Sequence, residues 1–274
     1  MKPTLERIFA GLAALLICTG ASSAADLHPI VEVQSGYLFG ATANGKWMKA
    51  EEAVKGLSDE TTYQVYGLTQ PLGQAKGGKP KAGEDVCTDT LTVSLSPKPE
   101  EGVIALAAPW NALPRKPRIA DTTQQVYVDA VRDFLKAKGI EQPKVRIDSI
   151  LRVDLDGDGK DEVLISATNY FSKDDRVPMR SPAGSYSMVL LRRVVAGKVE
   201  TQLVEGEFHP KAYVRKEDSF DAPNAYKVIA TLDLNGDGKM EVVVGSNYYE
   251  GEEITIYRCD PKKVEALLSV ACGA

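Results

Sequence analysis

The sequence predicts a mainly β protein: antiparallel four-stranded modules of propeller-blade type, an N-terminal β-rich region, and one linking α-helix. Three observations carry that prediction. Most of the chain consists of short apolar, β-branched runs separated by Gly, Pro, Asn and Asp, the pattern of strands and tight turns. One stretch shows sustained helical periodicity, between Thr122 and Gly139. An acidic, glycine-punctuated nonapeptide occurs twice, Asp154-Leu-Asp-Gly-Asp-Gly-Lys-Asp-Glu162 and Asp233-Leu-Asn-Gly-Asp-Gly-Lys-Met-Glu241, each time running into a β-like stretch.

Residues 1–25 stand apart from the folded chain. They begin with Lys2 and Arg7, continue through an apolar run from Ile8 to Ile17, and end in Ser23-Ala24-Ala25. That layout is a secretory signal peptide, with cleavage expected before Asp26. Lipidation at Cys18 is not expected, because the bulky Ile17 precedes it. No later run approaches the roughly 18 to 20 apolar residues that span a bilayer. The expected location is extracytoplasmic, in the periplasm or secreted.

From Asp26 to about residue 118 the pattern is strands and turns. Gly36-Tyr-Leu-Phe-Gly-Ala-Thr42, Asn44-Gly45 and Lys46-Trp47-Met48 form a hairpin signal, since both central residues of a type I′ turn need positive φ. Further strands are expected at 61–68, 87–95 and 103–107, with 73–83, rich in Gly, Lys and Pro, as an exposed loop. Pro109, Pro114 and Pro117 mark a linker. The helix follows within 119–140: Thr122 with Gln125 reads as a capping box and Gly139 as the stop. Val126, Ala130 and Phe134, with Tyr127, Val131 and Leu135 beside them, make a core-facing stripe. It should pack on a sheet and join the two halves.

Residues 141–274 contain an internal repeat, at about 145–206 and 224–274. Aligning Asp154 with Asp233 aligns Val163-Leu-Ile-Ser166 with Val242-Val-Val-Gly245 and Tyr170 with Tyr249. In each unit a strand precedes the acidic loop (145–153, 226–232) and a strand–turn–strand follows it, with turns at Ala196-Gly197-Lys198 and Asp260-Pro261-Lys262. Each unit is thus a four-stranded antiparallel module.

Charge and chemistry narrow the function classes. The chain carries −5 and residues 1–25 contribute +1, leaving −6 on the remainder, which does not suit nucleic acid or an anionic membrane. Beyond residue 25 the histidines are His28 and His209, and neither sits in a zinc-ligand arrangement. No nucleophile elbow, P-loop or dinucleotide fingerprint appears. No catalytic residue is assigned, and enzyme activity is the less favoured class. Cys87, Cys259 and Cys272 allow one intramolecular bridge in an oxidising compartment. A turn at 260–263 carries Cys272 away from Cys259, which favours Cys87 with one of the C-terminal cysteines, Cys272 ahead of Cys259, as a staple between the halves.

The acidic loops suit a hard cation. Calcium takes six to eight oxygens at about 2.3–2.6 Å. Loop one offers Asp154, Asp156, Asp158, the Lys160 carbonyl and Glu162; loop two offers Asp233, Asn235, Asp237, the Lys239 carbonyl and Glu241. An EF-hand shares the opening of this pattern but needs an acidic residue at position twelve and flanking helices. Position twelve is Ile165 in one loop and Val244 in the other, and the flanks are strand-like. The expectation is therefore two strand-to-strand calcium loops in a structural role. Loop one, with four carboxylates against three, should bind more tightly.

The segment from Asp233 to Tyr257 resembles the FG-GAP repeat, the integrin-α-like or VCBS-type calcium-binding β-propeller repeat, and the first unit resembles it more loosely, with an insertion around 172–185. The resemblance implies two calcium ions on the residues named above. A closed ring is not implied, because rings need at least four blades and two are legible. Tyr170, Phe171, Tyr248 and Tyr249 follow the loop strands and are candidate recognition residues. The expected role is that of an exported, calcium-binding, non-catalytic binding or interaction protein for a protein or glycan ligand, with calcium structural. The competing classes are an exported hydrolase or lyase using calcium and carboxylates, and a purely structural envelope component.

Overall fold

The computed structural model describes residues 26–83, 85–171, 177–214, 221 and 223–273. The expected signal peptide, residues 1–25, lies outside the described residues. The protein is mainly β, and its principal sheets are antiparallel with seven, five and four strands.

The N-terminal region runs through β1 (His28–Glu32), β2 (Leu38–Ala43), β3 (Lys46–Lys49), the single-turn helix α1 (Ala50–Ala53), β4 (Thr61–Tyr66), β5 (Pro71–Gly77), β6 (Lys81–Ala82), β7 (Leu91–Thr92), β8 (Leu95–Ser96) and β9 (Ile104–Leu106). Seven of these strands form one sheet in the order β3-β2-β1-β9-β4-β5-β8, and β6 pairs with β7. Asn44 and Gly45 take φ of 50° and 72° and close β2 onto β3, the geometry of the expected hairpin.

Two expectations fail in this region. Residues 73–83 contain most of β5, which pairs with β4 and β8. In β5 only Ala75 and Gly77 are buried, so the strand shows no apolar alternation and its pairing is supplied by its neighbours. Residues 87–95 are not one strand. The 3-10 turn Asp85–Cys87 opens them, and the Cys87 carbonyl accepts from the Thr90 N–H at 3.0 Å and the Thr90 hydroxyl at 2.7 Å. That turn delays pairing until the short β7 and β8.

The segment 109–117 ends in a further strand, β10 (Arg118–Ala120), followed by α2 (Gln125–Ala137). The capping box does not form. Asp121 accepts from the N–H and hydroxyl of Thr123, each at 2.8 Å, and the helix starts after Gln124 without a side-chain cap. Its C-terminus matches expectation: Gly139 (φ 88°) donates to the Lys136 carbonyl and Ile140 to that of Leu135, the paired bonds of a Schellman ending. Tyr127, Val131 and Leu135 form the buried stripe, whereas Val126 is exposed. The apolar band is therefore narrower than the sequence suggests and rotated by one residue.

The first module comprises β11 (Ile147–Val153), β12 (Glu162–Thr168), β13 (Ser185–Val195) and β14 (Lys198–His209); the second comprises β15 (Ala225–Leu232), β16 (Glu241–Tyr248), β17 (Gly251–Asp260) and β18 (Lys263–Gly273). Both follow the expected strand order. β10 adds to β11, so the first sheet has five strands rather than four. Both faces of this sheet are covered. Ile150, Ile165, Met188 and Leu190 pack with α2, while Leu151, Leu164, Val189 and Leu191 enter a core shared with the other two sheets. Each fully buried Leu or Ile contributes about 1.5–3 kcal/mol, and double coverage explains the unbroken apolar run of β13.

The second module contacts the first through β15 against β12 and β13, and the N-terminal sheet through β18 against β2 and β3. The free edge of β15 is satisfied across the gap: the Tyr226 N–H donates to the Ser187 hydroxyl at 2.8 Å and the Val228 N–H to the Ser166 hydroxyl at 3.1 Å. Cys87 and Cys272 form a disulfide with a Cα–Cα distance of 5.4 Å, joining the N-terminal region to the last strand. Cys259 is a free thiol.

Candidate metal centre

The two acidic loops occupy equivalent places. Residues 154–162 carry the chain from β11 into β12, and residues 233–241 carry it from β15 into β16. The hydrogen bonds from their backbone N–H groups to loop side chains repeat one by one. Asp154 accepts from the N–H groups of Gly157 and Gly159 at 2.7 and 3.0 Å, and Asp233 accepts from Gly236 and Gly238 at the same two distances. Asp156 accepts from the Asp158 N–H at 3.2 Å and Asn235 from the Asp237 N–H at 3.1 Å. Asp158 and Asp237 each accept from the N–H of the following lysine at 2.8 Å. Glu162 reaches back to the Leu155 N–H at 2.8 Å, as Glu241 does to that of Leu234 at 2.9 Å. Gly157 and Gly236 sit at φ of 81° and 76°, a backbone that strains residues bearing a Cβ.

These bonds curl each loop and leave carboxylate oxygens for another partner. In loop one, ligand atoms of Asp154, Asp156 and Glu162 lie within 4.8 Å of one another. Asp158 is outside that group and is taken up by Lys160, whose ammonium donates to it at 3.0 Å. An all-oxygen donor set favours calcium, magnesium or manganese over zinc or copper.

Burial and charge distinguish the loops. Glu162 is pushed above its usual range chiefly by burial, an effect the Leu155 N–H and the Arg193 guanidinium oppose. Glu241, 1 % exposed, is pushed up to about 8 by burial and then by Asp237 and Asp233, with the Leu234 N–H opposing. Burial likewise raises Asp233, against the N–H groups of Gly236 and Gly238. Asp158 is lowered by its bond to Lys160.

The residues around the loops were not legible as site residues. Arg115 donates from Nε to the Asp154 carbonyl, and from Nη2 to the Leu155 carbonyl at 3.1 Å and the Gly238 carbonyl at 2.8 Å. Trp110 donates from Nε1 to the Asp233 carbonyl at 2.9 Å, and its ring would lie 3.2 Å from a Cβ at Gly236. The Asp233 N–H donates to the Ala112 carbonyl at 2.8 Å. The proline-marked linker is thus a segment packed between the loops. Its one sequence signal was a Trp and an Arg in an otherwise turn-like stretch.

The candidate recognition residues do not share one environment. Tyr170 is buried at 5 % exposure and its hydroxyl donates to Glu207, so it is a packing residue and not a surface one. The Phe171 ring lies 5.9 Å from the Arg146 guanidinium. Tyr248 and Tyr249 are half-buried, their rings meeting edge to face at 6.2 Å. His28 bonds the Ala107 carbonyl at 3.1 Å, and His209 lies 3.3 Å from the Glu207 carboxylate.

Among the clefts lined by described residues, two of about 500 and 430 Å³ border the N-terminal sheet, and neither is lined by a loop residue. The larger has Tyr37, Lys81 and Lys98 but no carboxylate on its walls. A third, of about 170 Å³, brings Glu205 and Glu253 together with Tyr226 and Tyr257, yet it is smaller than the roughly 300–1,000 Å³ of most small-molecule sites.

No curated protein and no solved structure matches the chain significantly. Residues 226–257, which run from β15 through loop two to β17, match the family model of the FG-GAP repeat.

Proposed function

We propose that the protein is an exported, non-catalytic binding protein whose two strand-to-strand loops each hold a calcium ion in a structural role. The observation that carries this reading is the bond-for-bond repetition of the loops, together with three converging carboxylates in the first. The ligands would be Asp154, Asp156, Asp158, the Lys160 carbonyl and Glu162, and Asp233, Asn235, Asp237, the Lys239 carbonyl and Glu241. Bound calcium would supply positive charge beside the buried glutamates, above all Glu241, and hold the loop closed. The FG-GAP match to the second unit supports a binding or interaction role, and the equivalent loop geometry supports reading the first unit as a second, diverged copy.

The proposed partner is a protein or glycan met outside the cytoplasm, with Phe171, Tyr248 and Tyr249 as candidate contact residues. Among the described residues no helix is long and apolar enough to cross a membrane. Calorimetry with calcium chloride on the chain lacking residues 1–25 tests the metal reading: two binding events are expected, one lost in Asp156→Ala and the other in Asp237→Ala. Absence of any calcium heat, with no rise in unfolding temperature, would overturn it. Affinity capture with and without chelator, repeated with Tyr248 and Tyr249 changed to alanine, tests the binding role.

A further inference from the structure

We infer that Arg115 couples the two loops, so that cation binding in one raises the affinity of the other. This rests on the calcium reading above. The guanidinium spans the gap between modules: Nε and Nη2 hold the carbonyls of Asp154 and Leu155 at the entrance of loop one, and Nη2 also holds the Gly238 carbonyl in loop two. None of these acceptors is a proposed ligand atom, so the grip and a bound ion do not compete for oxygens. Each acceptor lies beside a ligand group. The Asp154 carbonyl belongs to the residue whose carboxylate is a ligand, and Gly238 directly precedes Lys239, whose carbonyl is one.

A second link runs in parallel, from the Met240 N–H to the Leu155 carbonyl at 2.8 Å. The segment carrying Arg115 is itself anchored to loop two by the Trp110 and Ala112 bonds. Ordering either loop therefore fixes the acceptors that position Arg115, and the other loop closes onto a preformed partner at a smaller entropy cost. A lysine cannot replace this bridge, because a single ammonium does not present a planar fork to carbonyls on two loops. Arg115 also places its charge 3.9 Å from the Asp154 carboxylate, which opposes a cation in loop one. Its removal thus has two separable consequences: loop one gains intrinsic affinity, and the loops respond to each other less, through the Met240–Leu155 bond alone.

The test is a thermodynamic cycle on the chain lacking residues 1–25, titrated with calcium chloride. Asp237→Ala disables loop two so that loop one is measured alone, and Asp156→Ala does the converse. With Arg115 present, each loop should bind about 5-fold or more weakly when the other is disabled, the low end of typical coupling between sites. In Arg115→Ala that difference should fall below about 5-fold, the low end of typical coupling, leaving only what the Met240–Leu155 bond carries. Arg115→Lys, which keeps the charge and loses the fork, should show the same reduced coupling and keep the weaker loop one; it also serves if the alanine variant does not fold. Loop affinities independent of each other in the Arg115 protein, or coupling unchanged in both variants, would overturn the inference. Failure of the Arg115 protein to take up calcium at all would instead remove the calcium reading.

Discussion

Loop one lies at the surface, with Asp156 and Asp158 exposed, and cations surround it: Arg115 beside Asp154, Lys160 on Asp158, and Arg193 near Glu162. Loop two is recessed. Asp233, Asn235 and Glu241 are 4, 8 and 1 % exposed although Asp237 is exposed, Trp110 packs beside Gly236, and among the described residues backbone N–H groups oppose the burial of Glu241. The two share one set of backbone N–H bonds to loop side chains, so their curl follows from the nonapeptide. Their electrostatic states do not. A carboxylate in water is stable as an ion, whereas a buried one needs a paired charge or a proton. Loop one is balanced by guanidinium and ammonium groups, whereas in loop two burial favours the protonated form of Glu241.

The largest expected effect exposes that difference through pH. Without calcium, Glu241 keeps its proton in the folded state up to about pH 8, while the unfolded chain loses it near the ordinary glutamate value of about 4.3. Over that window the folded state binds more protons, so stability falls as pH rises, by roughly 3–5 kcal/mol from this group. Urea unfolding of the metal-free protein at pH 5 and pH 8 measures it. Glu241→Gln should flatten the slope and Glu162→Gln should change it less; an equal effect of the two would erase the proposed distinction.

Next in size is a control that touches neither loop. The disulfide closes a sequence separation of 185 residues, and removing it should cost about 2–5 kcal/mol. Thermal unfolding of the Cys87→Ala, Cys272→Ala protein should drop by roughly 5–15 °C while the difference between Glu241→Gln and Glu162→Gln persists. Loss of that difference would mean that the burial of loop two depends on the staple.

Equivalent glycines then probe the surroundings directly. At Gly157 a Cβ meets only Arg115 atoms, the nearest at 3.6 Å, whereas at Gly236 it meets the Trp110 ring at 3.2 Å. Both alanine variants carry the positive-φ penalty of about 1–2 kcal/mol, and Gly236→Ala should cost roughly 1 kcal/mol more because a packed ring must shift. Denaturant midpoints of the two variants decide it.

The smallest effect concerns salt. Raising ionic strength from about 0.05 to 0.5 M should weaken calcium binding several-fold in exposed loop one and less in recessed loop two, because buried charges are screened less. The carboxylate count ranks loop one as the tighter site; equal affinities would indicate that Arg115, Arg193 and Lys160 cancel its fourth carboxylate.

Much of the fold was readable from particular residues. Asn44-Gly45 specified the first hairpin, Gly139 the helix end, and the repeated nonapeptide the order of strands in both modules. These succeed because turn conformations and side-chain periodicity are local properties. β5 and β10 were missed for the complementary reason: Gly73, Gly77 and the residues around Pro117 carry little intrinsic strand preference and are extended only because a neighbouring strand offers backbone partners. Tyr170 was misassigned to the surface because its Glu207 partner lies 37 residues away, on a different strand.

The sequence by itself determined the mainly β architecture, the four-strand order of the two modules, and the hydrogen-bonded curl of the acidic loops, since each is built from contacts within a few residues. Only the tertiary structure decided that Arg115 bridges the loops, that Trp110 packs beside the second, and that Arg193 stands near Glu162 whereas backbone N–H groups oppose the burial of Glu241. Those are contacts and fields between segments distant along the chain. A buried carboxylate responds to every charge within a few ångströms, whichever part of the chain supplies it.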